Sequence, residues 1–101
     1  MLDNEMHVSF LGVSQNESFA RMVAAAFASQ LNPTIEELTD IRTAVSEAVT
    51  NAIIHGYRGM RGMVGMDCTI SGRTFTVAVR DEGHGIPDVK LAMQPFYTSV
   101  P

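Results

Sequence analysis

Glu47-Ala48-Val49-Thr50-Asn51-Ala52-Ile53-Ile54-His55-Gly56-Tyr57 carries two patterns at once. Ala48, Val49 and Ala52 continue an apolar arc begun by Leu38, Ile41 and Val45, the i, i+3, i+4 spacing of a helix with one buried face. Glu47, Asn51 and His55 stand four residues apart, and at about 100° per residue each such step turns only about 40° around the axis. A carboxylate, an amide and an imidazole therefore form a stripe beside the buried arc rather than opposite it. That border is where a half-buried pocket is lined.

Working outward, Thr34-x-x-Glu37 is a capping box, so the helix begins at Ile35; Gly56 suits its end after about His55. Asn32-Pro33 ends an earlier helix that runs from about Ser18 to Leu31, with Ser14-x-x-Glu17 as its own capping box. Phe19, Met22, Val23, Ala26, Phe27 and Gln30 give that helix its mostly apolar stripe. Met6, Val8 and Phe10 alternate with His7 and Ser9, the mark of a strand with one apolar face. Downstream, Val64, Met66, Cys68 and Ile70 alternate with small or polar residues, as do Phe75, Val77 and Val79. Ser71-Gly72-Arg73 between them predicts a β-hairpin. Tyr57–Gly62 reads as an exposed loop, and Asp88 caps a short helix that Gln94-Pro95 ends. The order strand, helix, helix, strand, strand predicts an α+β chain: a two-layer α/β sandwich with helices on one face of a mixed sheet.

Composition narrows the function. At 101 residues the chain is one domain at most, and 46% hydrophobic against 18% charged residues is globular rather than disordered. A net charge of −4 and seven Lys and Arg without a run argue against direct nucleic-acid binding. A single cysteine, Cys68, excludes an internal disulfide and reads as a small buried hydrophobe. The first residues lack the basic and apolar regions of a signal peptide, and no stretch approaches the about 18 apolar residues of a membrane span. A cytoplasmic protein fits these features.

The stripe suits nucleotide chemistry. Mg²⁺ takes hard oxygen ligands and keeps several waters, and the Asn51 carbonyl supplies one such oxygen. Glu47, one turn earlier, is placed to take a proton from a water or hydroxyl attacking a γ-phosphate. His55 lies one turn later, near the phosphate end. By spacing alone, an ordinary solvated helix face is the better explanation of Glu, Asn and His. The second candidate is Asp81-Glu82-Gly83-His84-Gly85-Ile86-Pro87. Asp81 closes a strand and can accept a hydrogen bond from an exocyclic amine such as adenine's. Gly83 and Gly85 allow close backbone approach to a flat ring, and Ile86 can pack on it. A plain strand-to-helix turn uses the same residue types. No G-x-x-x-x-G-K-[ST], G-x-G-x-x-G or H-E-x-x-H is present.

The two segments in this order, with a hairpin between them and Asn16-Glu17-Ser18-Phe19-Ala20-Arg21 ahead, are far more specific than either alone. Together they resemble the GHKL ATPase/kinase superfamily and, within it, the anti-sigma regulatory factor family of spore-forming bacteria. The resemblance runs from about Glu5 to Thr98. It implies a Bergerat-type ATP-binding fold over residues 1–101, with ATP and Mg²⁺ as cofactors. It implies Glu47 as catalytic base, Asn51 as Mg²⁺ ligand, Asp81 as the adenine-recognising carboxylate, and Gly83 and Gly85 as the floor of the site. On the first helix it implies Arg21, with Glu17 beside it, as the contact for a sporulation sigma factor and an anti-anti-sigma protein. Such proteins are homodimers that hold the sigma factor inactive and phosphorylate a serine of the anti-anti-sigma protein. The resemblance also implies a C-terminally truncated domain, without the lid, the second Gly-rich turn and helix, and the closing strands, which leaves a sheet edge unpaired. The loop Arg58–Met63 departs from the Asn/Pro-rich loop of the family.

Two other readings share these features. One is a sigma-factor-binding module without catalysis. The other is a histidine-kinase-like ATPase domain, though His7, His55 and His84 lie in a strand, a helix end and a loop, none a setting for a phospho-accepting histidine.

Overall fold

The computed structural model describes the backbone of residues 3–57, 62–81 and 89–93, and the side chains of residues 3–54 and 62–80. Strand β1 (Asn4–Leu11) is followed by helix α1 (Gln15–Ala28), a 3₁₀ turn (Ser29–Leu31), helix α2 (Ile35–Tyr57) and strands β2 (Met63–Ser71), β3 (Thr74–Asp81) and β4 (Val89–Met93). The sheet order is β1-β2-β3-β4. All three pairings are antiparallel, so the mixed sheet expected from sequence is antiparallel across its described strands. The helix expected after Asp88 is instead β4. Val89, Leu91 and Met93 alternate with Lys90 and Ala92, and β3 offers a free ladder edge to pair them.

The core is a sandwich of one sheet face and the helix pair. Val64, Met66, Cys68 and Ile70 of β2 and Phe75, Val77 and Val79 of β3 are buried, as the alternation predicts. From α2 come Ile41, Val45, Ala48, Val49 and Ala52. On α1 the fully buried residues are Ala20, Ala24 and Ala28, with Val23 and Phe27 of the expected stripe partly buried against the same core. Phe19 and Met22 are 45% and 67% exposed, with Phe19 set edge-on to Phe10 at 6.2 Å between ring centroids. The expectation holds at Val23 and Phe27 and fails at Phe19 and Met22: alanines let the helix approach closely, and these two larger residues stand on its flank. Burial of Cys68 pushes its thiol up to about 12, so it is an inert packing residue.

Local chemistry ends the elements. Asn32 sits at φ 52, a left-handed helix end that asparagine tolerates, and Pro33 prevents continuation. Gly72 at φ 61 opens the two-residue turn between Ser71 and Thr74. The Thr34–Glu37 box forms in both directions: the Thr34 N–H donates to Glu37 Oε1 at 2.7 Å, and the Glu37 N–H donates to Thr34 Oγ1 at 3.1 Å. The Ser14–Glu17 box does not form. Ser14 is already helical at φ −59, ψ −27, with no side-chain cap bond, and the helix starts at Gln15 rather than Ser18.

The outer sheet face carries a polar ladder across three strands. His7 Nδ1 bonds Asp67 Oδ1 at 2.7 Å, His7 Nε2 bonds Glu5 Oε1 at 2.9 Å, and Arg80 donates to Asp67 Oδ2. Gly65 makes room for this pairing, because a Cβ there would stand 2.7 Å from the Arg80 guanidinium carbon.

Candidate functional site

Helix α2 mounts the site. Its buried arc fixes which side faces the sheet, and the stripe one step round is left facing outward. Glu47 and Asn51 are both exposed. They line one cleft of about 360 Å³ together with Ser46 and Thr50. The spacing of four thus delivers its carboxylate and amide to a single concavity. Glu47 and Ser46 also line an adjoining groove of about 530 Å³ between the helices, with Ser18, Arg21, Met22, Thr39, Arg42 and Thr43. The candidate base therefore stands where the α2 cleft meets the α1 surface.

The other expected residues are less fully described. His55 continues α2, but its side chain lies outside the described residues. Asp81 is the last residue of β3, paired with Val64, and its side chain lies outside them too. Gly83, Gly85 and Ile86 fall outside the described residues altogether, as do residues 58–61 of the loop.

Arg21 is half-buried and lines the inter-helix groove beside the exposed Met22. Glu17, expected beside it as a partner contact, is engaged inward. Its Oε1 accepts from Ser46 Oγ at 2.7 Å and from Arg21 Nη1 at 3.4 Å, and its Oε2 accepts from Thr50 Oγ1 at 2.5 Å. The Ser46 and Thr50 hydroxyls hold the Glu17 carboxyl below its usual range, with Arg21 adding a smaller pull against the opposing effect of burial. Sequence reasoning missed Ser46 and Thr50. The available signal was a pair of hydroxyls at i and i+4, each just before a residue of the stripe.

The oxygen donors of the cleft are of the kind a magnesium nucleotide accepts. Among the described residues no group of three His, Cys, Asp or Glu gathers to hold an ion. The cleft instead offers the Asn51 carbonyl, the Glu47 carboxylate and two hydroxyl oxygens, all hard ligands, and is open enough for phosphate and water oxygens to complete the shell. No described helix is long and apolar enough to cross a membrane.

Comparison with known proteins identifies the family. Residues 14–97 match the family model of the histidine kinase-like ATPase domain. The chain is 56% identical to the anti-sigma F factor of Clostridium kluyveri over 101 residues, which is all of this chain and 71% of that protein. It is 59% identical to the anti-sigma F factor of Thermoanaerobacter sp. over 96 residues, covering 95% of this chain and 67% of that one. The anti-sigma F factor of Clostridium acetobutylicum is 54% identical over 101 residues, again all of this chain and 71% of the relative.

Proposed function

Because the chain belongs to the histidine kinase-like ATPase family and, within it, to the anti-sigma F factors, we propose that it is an ATP- and Mg²⁺-dependent protein serine kinase that also sequesters a sigma factor. The observation that carries this reading is the shared cleft of Glu47 and Asn51, one helical turn apart on an otherwise well-seated helix. When bound, Mg-ATP supplies the transferable phosphoryl group and the counter-charge for its oxygens. Asn51 offers its carbonyl oxygen to the cation. Glu47, exposed and ionisable at the junction of cleft and groove, takes the proton from a serine hydroxyl as that oxygen attacks the γ-phosphorus and ADP leaves. Asp81 recognises the adenine amine from the end of β3, with Gly83, Gly85 and Ile86 lining the ring and His55 near the phosphates. Arg21 is the contact for the sigma factor and for the anti-anti-sigma protein that supplies the serine, and the working unit is a homodimer.

The test is Mg-ATP binding and phosphate transfer to the anti-anti-sigma protein. Glu47→Gln is expected to bind nucleotide near normally but to lose transfer, by about 10²-fold or more for a general base. Asn51→Ala and Asp81→Asn are expected to lose binding. Full nucleotide affinity in Asp81→Asn would remove the adenine assignment, and full transfer in Glu47→Gln would remove the base.

A second reading is supported by the α1 surface, where Arg21 lies beside Met22 at 67% exposure. In it the chain captures the sigma factor without transferring phosphate. Arg21→Glu then abolishes capture, and nucleotide leaves capture unchanged; detectable phosphate transfer would refute it.

A further inference from the structure

Serine and threonine hydroxyls inside helices ordinarily bond the carbonyl four residues back. Among the described residues Thr39 in α2 and Ser29 at the end of α1 do so: Ser29 Oγ donates to Ala25 O at 2.8 Å, and Thr39 Oγ1 donates to Ile35 O at 3.0 Å. Ser46 and Thr50 do not. Both donate sideways to the Glu17 carboxylate of α1, at 2.7 and 2.5 Å. A hydroxyl has one proton to give. Committed to Glu17, these two can only accept toward the cleft they line with Glu47 and Asn51. An ionised carboxylate has no proton of its own, so the polarity of both hydroxyls is fixed from α1.

We propose that Glu17 is a positioning residue for the cation. By holding Ser46 and Thr50 as donors to itself, it turns the cleft wall into acceptors that bond the water shell of Mg²⁺. A wall of acceptors beside Asn51 suits water ligands, which present protons outward, and disfavours bare phosphate oxygens, which present none. Mg²⁺ keeps several waters when it binds, and outer-sphere partners of this kind orient a metal's ligands. The inference rests on the nucleotide reading above and extends it to a residue on a different helix. Arg21, the one described cation bonded to Glu17, shares Oε1 with Ser46 at the longer distance of 3.4 Å, so it leaves the hydroxyl bonds in place.

The test is the ratio of ATP affinities with Mg²⁺ and with EDTA, measured by calorimetry on the full chain. Glu17→Gln keeps the size of the side chain but gives it an NH₂ that donates to one hydroxyl, freeing that proton to point into the cleft. The expected result is a Mg²⁺ enhancement about tenfold smaller than wild type, the worth of a charge-assisted hydrogen bond, with affinity in EDTA unchanged. In a Ser46→Ala/Thr50→Val background the same substitution is expected to have no further effect on the ratio. Equal loss with Mg²⁺ and with EDTA would mean Glu17 acts only through folding, and would overturn the inference, as would an unchanged ratio. The nucleotide reading fails separately: its failure is a wild-type chain that binds no ATP, or an Asn51→Ala chain that keeps the full Mg²⁺ enhancement, and either result removes this inference with it. If wild type shows the enhancement and Asn51→Ala loses it, while Glu17→Gln keeps it, only the inference falls.

Discussion

Thr50→Val removes one hydroxyl from the Glu17 clamp and little else. The two side chains have nearly the same shape, and threonine and valine have similar helix propensities, so packing and backbone terms largely cancel. What is lost is a hydrogen bond from Thr50 Oγ1 to a carboxylate at 2.5 Å. Bonds to charged groups contribute about 1.5–3 kcal/mol. The Glu17 side chain keeps 27% exposure, so water can reach the vacated oxygen and the lower end applies. A loss of about 1–1.5 kcal/mol is expected, seen as a fall in Tm of roughly 5–10 °C for a domain of this size. The effect must also depend on pH. Hydroxyl bonds depress the folded-state value of Glu17 below the ordinary 4.5, so the stabilisation is present in full above that value. It is lost as pH falls through the lower folded value, and the gap between wild type and Thr50→Val narrows with it. Urea unfolding at pH 7 and at stepwise lower pH measures both quantities, and a cycle with Glu17→Gln gives the coupling, expected near 1 kcal/mol. A loss that stays constant from neutral to acid pH, or strictly additive single substitutions, would refute the clamp.

Ile41→Ala, at a position with 0% exposure in the α2 arc, is expected to lose about 3 kcal/mol or more in urea unfolding; under about 1 would mean α2 is not seated as described. Glu37→Ala removes half of a reciprocal cap and is expected to lose about 1 kcal/mol, while Glu37→Gln keeps an acceptor for the Thr34 N–H and loses less; equal losses would show that burial, not capping, matters there. The His7 ring is held above its ordinary 6.5 by Asp67 first and Glu5 second, so its contribution is present below pH 6.5 and disappears as pH rises through the raised value. An NMR titration of His7 should move down in Asp67→Asn, and an unmoved titration would remove Asp67 as the cause.

Legibility in the sequence followed the range of the interaction. The α2 arc, the Thr34–Glu37 cap and the β2–β3 alternation depend on neighbours within a few residues, and all three stand in the structure as the sequence predicts, save that Leu38 at the start of the arc is only half-buried. Ser14-x-x-Glu17 has the same local form as Thr34-x-x-Glu37, yet only the second closes. The difference is tertiary: Ser46 and Thr50, 29 and 33 residues away, compete for the Glu17 carboxylate and win it. The α1 stripe was legible at Val23 and Phe27 but misread at Phe19 and Met22, where residue size stood in for burial, whereas the helix docks most closely through its alanines. Val89–Met93 is short enough to fit either period, and the open edge of β3 decided it. At the site, spacing was enough to bring Glu47 and Asn51 into one cleft. It was not enough to show that Ser46 and Thr50 matter, because their importance depends on which face α1 presents.

The geometry that makes the stripe readable also makes the clamp effective. Residues four apart lie nearly in line along a helix, so if Glu47 and Asn51 are aligned, Ser46 and Thr50 are aligned too, one residue step behind. Two bonds to one carboxylate, a turn apart, resist rotation of α2 about its own axis. A side chain reaches about 5–6 Å from that axis, so a roll of about 10° moves its tip by about 1 Å. A displacement of that size would break hydrogen bonds of 2.5 and 2.7 Å. It would move Glu47 and Asn51 by the same amount, and a misplacement of about 1 Å in a reacting group can lower a rate by about 10²-fold. The apolar arc of Ile41, Val45, Ala48, Val49 and Ala52 sets which side of α2 faces the sheet, and the two bonds to Glu17 add a directional restraint on the same angle. The Glu17 carboxylate fixes the angle at which the sheet-seated helix presents its site.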